Sequence, residues 1–211
     1  MADSTPWLIE EAGPEDKKYA PATLRNRDAI LAVLKEHLPD KGHVLEIASG
    51  TGEHICYFSA HFPDLHFQPS DVSVDACCSI AAWVEDSGAK NILPPILLDI
   101  EKAELDGDIA AILCINMVHI APWSATQALF ALACRQLAKG GLLYLYGPFI
   151  RPEIETAPGN VAFDDNLRSR DPQWGLRNVD VVAAEAQRND IVLVHIIEMP
   201  ANNLSLVFRR T

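Results

Sequence analysis

The chain has 211 residues, 49% of them apolar and 22% charged, with 11 glycines and 14 prolines. This is the composition of one globular domain able to bury roughly 70% of its unfolded surface without a disulfide or metal staple, and it excludes a disordered, collagen-like or coiled-coil chain. A formal charge of −12 argues against a nucleic acid or an anionic membrane as partner and for a small molecule.

Residues up to about Tyr19 are polar and turn-rich, around Gly13-Pro14 and Glu15-Asp16-Lys17-Lys18, and read as an arm. An amphipathic helix follows from Pro21, with Leu24, Leu31, Leu34 and Leu38 on its apolar face and Pro39 as its stop. The pattern then alternates. Residues 43–48 form a strand running into Ser49-Gly50-Thr51-Gly52, and a helix follows to about Phe62. Strand 65–69, helix 75–88 and strand 93–98 come next. Then come strand 109–115, helix 124–139 with Gly140-Gly141 at its end, and strand 142–146. These strands are continuous apolar runs, as in parallel sheets covered on both faces, and the alternation predicts a doubly wound α/β fold.

Residues 147–178 break the rhythm as a long, partly helical excursion. A helix at about 179–188 precedes strands at 191–199 and 204–210. The four residues between those strands are too few for a parallel crossover, so the pair is an antiparallel hairpin. The expected fold is one domain with a seven-stranded, mostly parallel, Rossmann-like sheet and an antiparallel C-terminal strand.

The glycine loop after the first strand carries the chemistry. It lacks the Gly-Lys-Ser/Thr of a Walker loop, and Ile55 stands where a dinucleotide fingerprint has its third glycine. The loop matches the pattern that holds S-adenosylmethionine. Glu46 lies inside the first strand, then come Ala48, Ser49, Gly50 and Gly52, and Asp71 with Val72 ends the second strand about 20 positions on, where a carboxylate can accept from both ribose hydroxyls. Asp99 and Ile100 close the third strand, offering a carboxylate to an adenine amine and an aliphatic surface to its ring. His54, in the first turn after the glycines, is placed to brush the cofactor.

On these residues the chain resembles the class I S-adenosylmethionine-dependent methyltransferases. It is most similar to a family of short methyltransferase-like proteins catalogued as a domain of unknown function. The resemblance also rests on Tyr19-Ala20-Pro21-Ala22 with Arg25-Asn26, on Gln68-Pro69-Ser70-Asp71, on 116–123 from Asn116 to Trp123, on Tyr146-Gly147-Pro148-Phe149, and on 166–175 from Asn166 to Gly175. It implies the cofactor and the reaction class and is silent on the substrate.

Three segments leave the carboxyl edge of the sheet towards a substrate: 116–123, 146–151 and the arm around Tyr19, Arg25 and Asn26. The arm with the first helix (1–40) and the excursion (147–178) are candidate lids. His119 is the candidate general base, against a packing histidine held by a backbone carbonyl. Asn116 either orients the nucleophile, contacts the methionyl end of the cofactor, or caps its turn. Tyr146 is a polar pocket wall or an aromatic strand end, and Phe149 follows it. Arg168, Arg170 and Arg177, interleaved with Trp174, either clamp an anionic substrate or pair locally with Asp164, Asp165, Asp171 and Asp180.

Five cysteines form no C-x-x-C pair and no metal-ligand spacing with histidine, so no metal is expected and a reducing, cytoplasmic location is. No apolar run nears the ~20 residues of a membrane span, and the first residues lack a signal-peptide pattern. The expected function is methyl transfer to a small molecule, an anionic one if the arginines clamp it. A catalytically silent cofactor-binding partner protein and an NAD-dependent oxidoreductase are the rivals. Oligomeric state is not legible.

Overall fold

The computed structural model describes residues 10–11, 17–105 and 107–211. Its central sheet contains β1 (Gly42–Ile47), β2 (Leu65–Asp71), β3 (Ile96–Leu97), β4 (Ile109–Ile115), β5 (Leu137–Gly147), β6 (Ile191–Met199) and β7 (Asn203–Arg210). The order is β6-β7-β5-β4-β1-β2-β3, and β7 alone runs antiparallel to its neighbours. The expected seven-stranded topology and its closing hairpin are present.

Each central strand buries both faces, with alternate residues serving two cores. Leu45, Ile112, Leu143, Leu145 and Phe208 meet Leu129 and Phe130 of α4 (Trp123–Gln136) and Val182 and Ala186 of α6 (Val179–Arg188). Val44, Ala111, Leu113, Leu142 and Val207 meet Ile30 and Leu34 of α1 (Pro21–His37) and Ile55 and Phe58 of α2 (Glu53–Ser59). The period of two along each strand therefore divides the core into the two halves that the helices cover. Helix α3 (Val74–Ser87) follows β2, starting from an Ser73 cap and ending at Gly88 in the left-handed region.

Four local expectations are corrected. Leu24 is 62% exposed, because the first turn of α1 borders a cavity instead of resting on the sheet. Strand β3 is only two residues long: Pro94 and Pro95 have no N–H to give to a ladder. Helix α2 stops at Ser59, short of Phe62. Helix α4 stops at Gln136, and β5 begins at once, with the register jumping from Ile109↔Leu137 to Ala111↔Leu142. Gly140, at φ +81, sits inside that jump, a backbone shape that a continuing helix does not have.

The excursion folds on itself. Phe149–Ile150 pairs in parallel with Arg177–Asn178, and between them lies α5 (Pro158–Arg170) over a small core of Leu167, Trp174 and Leu176. Most of the expected arm lies outside the described residues. Its end is tied down: Lys18 N–H donates to Ser79 Oγ at 2.8 Å, Trp83 Nε1 to the Lys18 carbonyl at 2.9 Å, and Ala20 N–H to Glu53 at 2.6 Å. Among the described residues no helix is long and apolar enough to cross a membrane.

Candidate active site

Strands β1 and β4 are neighbours whose following helices cover opposite faces, and a crevice opens at their carboxyl ends. Both strands end in a strained residue: Ala48 at φ +55 and Asn116 at φ +59. Left-handed backbone on non-glycine residues is costly and clusters where a chain must clear a ligand. Asn116 is held there by its N–H bond to the Tyr146 carbonyl, 2.8 Å away.

On the β1–β2 side the crevice is acidic. Glu46 is buried, its Oε2 has no hydrogen-bond partner, and burial raises its pKa to about 8, with Asp71 adding to the shift and Ser49 opposing it. Asp71 accepts from Gly50 N–H and Ser73 N–H, both at 3.0 Å, one bond to each carboxylate oxygen. Each oxygen keeps a lone pair for a further donor. Burial still holds the Asp71 pKa above its usual value. Ser49 is buried and accepts from Ser70 N–H at 3.2 Å, which fastens the loop to β2.

The two loop glycines answer different needs. A Cβ on Gly50 would meet open space, whereas one on Gly52 would lie 2.8 Å from the Ile80 backbone, where α2 and α3 pack closely. Val72 is 69% exposed beyond β2, beside Leu97, which pairs with Asp71. Asp99 caps the 3₁₀ turn Ile100–Lys102 and binds Lys102 at 2.6 Å, which lowers its pKa, while Ile100 packs on the edge of the core.

On the β4–β5 side lies a cavity of about 750 Å³. It brings together Arg25, Asn26, Asn116, His119 and Tyr146 from three distant stretches of sequence. A Cβ on Gly147 would lie 3.2 Å from the His119 ring and 3.6 Å from Asn116, so glycine there gives both side chains their room. His119 is buried, and burial together with the Arg177 guanidinium pulls its pKa down to about 3. Its imidazole is therefore neutral at physiological pH and a weak proton acceptor. Its carbonyl accepts from Gly175 N–H at 3.0 Å, which ties the excursion to this wall.

The other expected substrate residues do not line this cavity. Tyr19 packs edge-on to Trp83 at 5.1 Å. Phe149 is buried in the core and borders a smaller pocket of about 210 Å³. Arg168 pairs with Asp164 at 2.9 Å, one helical turn away, beneath Gly175. Arg170 stacks over Trp174 at 5.6 Å, and Trp174 fills the small core of the excursion. Arg177 donates to the Ala121 and Gln173 carbonyls. Sequence reasoning missed Phe163, Asn160, Asn202 and Asn203 as cavity walls. The asparagine pair read as ordinary turn chemistry, and nothing local distinguishes it. Asn26 also meets His54, whose Nε2 lies 2.8 Å from its Oδ1. No cluster of metal-ligating side chains occurs among the described residues.

Several solved methyltransferases share this architecture. The mitomycin 7-O-methyltransferase MmcR superposes with a TM-score of 0.78 at 13% identity, over 91% of this chain and 55% of its own. An O-methyltransferase family 2 protein from Planctomyces limnophilus, in complex with apigenin, gives 0.76 at 15% identity, over 90% and 58%. CalO1, a methyltransferase of calicheamicin biosynthesis in its SAH-bound form, gives 0.71 at 12%, over 87% and 54%. The chain thus spans little more than half the length of these proteins, and at such identities the likeness is one of fold. A family model described as protein of unknown function (DUF938) matches residues 17–210, so nearly the whole chain belongs to that family, on a class I methyltransferase fold.

Proposed function

We propose that the protein binds S-adenosylmethionine and transfers its methyl group to a small molecule. The observation that carries this reading is the buried, unpartnered Glu46 Oε2 beside Asp71, at the carboxyl ends of adjacent strands β1 and β2. A buried carboxylate oxygen without a partner costs several kcal/mol by order of magnitude, a cost that a ligand donor or cation removes. The residues fit the cofactor. Asp71 has one free lone pair per oxygen for a ribose diol, Gly50 leaves open space above the loop, and exposed Val72 with Ile100 and Asp99 offers an apolar and acidic seat for a base. Gly52 and Ser49 hold the loop's shape. Ile55 is wholly buried in the core, which opposes a third close approach by a pyrophosphate and disfavours the NAD reading.

When bound, this cofactor supplies a methyl group already activated by its sulfonium. What the chain adds is position: effective molarities of well-oriented reactants are worth about 7–11 kcal/mol. Asn116 stands between the acidic crevice and the cavity, with His119 and Tyr146 across from it, so the cavity is the site for the methyl acceptor, and Arg25 and Asn26 on α1 form its rim. The first turn of α1 and residues 147–178 flank it as lid elements; Trp174 packs inside the second lid, and Arg168 and Arg170 brace it through Asp164 and the Trp174 ring. Neutral His119 orients a nucleophile by hydrogen bonding better than it takes a proton. That feature also favours a second reading, a cofactor-binding protein without turnover. The free cysteines accord with a cytoplasmic location.

Incubation with methyl-labelled S-adenosylmethionine and a panel of phenols, carboxylates, amines and thiols tests this. Labelled product from any class, lost in Asp71→Ala, supports methyl transfer. Cofactor binding without product across all classes supports the silent reading, and no binding removes both.

A further inference from the structure

One arginine stands apart from the others. Elsewhere in the chain each guanidinium has a partner within the protein, whether a carboxylate, a backbone carbonyl or an aromatic ring. Among the described residues Arg25 has no ion pair, hydrogen bond or ring contact, and its side chain, from the second turn of α1, lines the cavity of about 750 Å³. The rest of the lining leaves this charge unbalanced. None of the described residues that form the cavity carries a carboxylate, although the chain has 29 acidic residues against 17 lysines and arginines. A guanidinium keeps its charge at every pH the protein meets. The cavity is therefore a positive site in a negative protein.

A second group in the same wall lacks a partner. His119 is 5% exposed, its ring lies edge-on to Phe163 at 5.7 Å, and no described group hydrogen-bonds either ring nitrogen. Buried polar atoms are normally paired, so an unpaired imidazole facing an open cavity points to a ligand. Around these two groups Pro21, Ile120, Pro148, Phe163 and Leu167 supply apolar wall, and the volume suits a ring system. One lining cation balances one negative charge, as a carboxylate carries, whereas a phosphate monoester carries nearer two. A cationic ligand would find no counter-charge, and its desolvation would go uncompensated.

We propose that the cavity takes a ring-sized carboxylic acid in its ionised form, and that Arg25 is the residue that selects it over neutral and cationic analogues. This rests on reading the cavity as the methyl-acceptor site, and it names the chemical class of the acceptor. The net charge of −12 repels anions from the protein as a whole, so an anion preference here can come only from a local cation.

Probes of one shape and different charge test it. The acid 2-naphthoate, the neutral 2-naphthamide and the cation of 2-naphthamidine are titrated calorimetrically into the full chain, with and without S-adenosylhomocysteine, and 2-naphthyl phosphate is added as a second anion. At low ionic strength the acid should bind about fivefold tighter than the amide and about twentyfold tighter than the amidine cation, with the phosphate no tighter than the acid. High salt should shrink the preference, because Arg25 is exposed. Arg25→Gln should bind acid and amide alike, with amide affinity within about twofold of the wild type, and Arg25→Glu should turn the order round. Lys35→Gln removes the same charge from an exposed position on the same helix outside the cavity, and should leave the preference intact. Equal binding of acid and amide by the wild type overturns the proposal. So does a preference that survives Arg25→Gln or vanishes in Lys35→Gln, tighter binding of the phosphate, or no binding of any probe. S-adenosylhomocysteine affinity, measured alone, keeps the two readings apart: its absence beside acid binding that depends on Arg25 removes only the cofactor assignment, whereas its presence with indiscriminate probes removes only this one.

Discussion

The two sides of the carboxyl edge differ in the chemistry they present. Around β1 and β2 the exposed or unsatisfied groups are acids: Glu46 with a bare buried oxygen, Asp71 with spare lone pairs, and Asp99 beyond them. Around β4 and β5 they are amides, a neutral imidazole, a phenol and one guanidinium, from Asn26, Asn116, Asn160, Asn202, Asn203, His119, Tyr146 and Arg25. One side is built to accept from hydroxyls and amines or to balance a positive charge. The other is lined by apolar side chains and neutral polar groups with Arg25 at its rim, and carries no carboxylate among its described residues. The methyl transfer proposed above, from a cationic donor to a neutral or anionic acceptor, would use both, and Asn116, directly after β4, lines the second.

The comparison can be broken within the loop itself. Gly52→Ala puts a Cβ 2.8 Å from the Ile80 backbone at φ +92, so either strain or a shift of α3 follows. Denaturant unfolding is expected to show a loss of about 3 kcal/mol or more. Gly50→Ala adds a Cβ that meets nothing, and its cost should stay near 1 kcal/mol. Equal losses at the two positions would mean that the loop is not divided between packing and ligand approach.

A second test uses pH. Glu46 has a folded pKa of about 8 against an ordinary value of 4.5. Below pH 4.5 both states are protonated and the stability is whole. Between 4.5 and 8 the unfolded chain releases its proton while the folded chain retains it, so stability falls by up to about 1.4 kcal/mol per pH unit, and above 8 it levels. His119 and His54, both drawn from 6.5 to about 3, act in the opposite sense: their share is whole above pH 6.5 and is lost as pH falls towards 3. The Glu46 contribution is therefore read as a difference. Glu46→Gln should gain on the wild type steadily from pH 5 to 8 in urea unfolding. A flat difference would show that Glu46 ionises without penalty and awaits no partner.

The smallest effect is expected at Arg168→Ala. Its guanidinium is half exposed and pairs with Asp164 at 2.9 Å on the same helix. Such pairs are worth about 1 kcal/mol or less. Thermal unfolding should shift little, and S-adenosylhomocysteine affinity should not change. A raised acceptor KM with cofactor affinity intact would return this arginine to the substrate.

What the sequence made legible follows from the range of the forces involved. Alternating apolar runs, Pro-Asp and Gly breaks, and a connection too short for a crossover are local signals, and they located all seven strands. Pro94-Pro95 shortened one strand and Gly140-Gly141 lengthened another, both through backbone chemistry written at those positions but outweighed by the apolar pattern around them. The acidic crevice was legible because its residues sit at strand ends in chain order. The cavity was half legible: Asn116, His119 and Tyr146 follow strands directly, but Asn202 and Asn203 arrive from a hairpin turn far along the chain. The link between Asn26 and His54 spans 28 positions with no periodicity to announce it. Arg168 misled for the converse reason, since its partner one helical turn away satisfies it locally.

The central claim is tested most directly by calorimetric titration of the wild type and Asp71→Ala with S-adenosylhomocysteine, with NAD as control ligand. The account predicts saturable micromolar binding to the wild type, a loss of about 100-fold or more on removing the carboxylate that would hold two ribose hydroxyls, and no binding of NAD. Wild-type affinity retained in Asp71→Ala, or preferential binding of NAD, would contradict it.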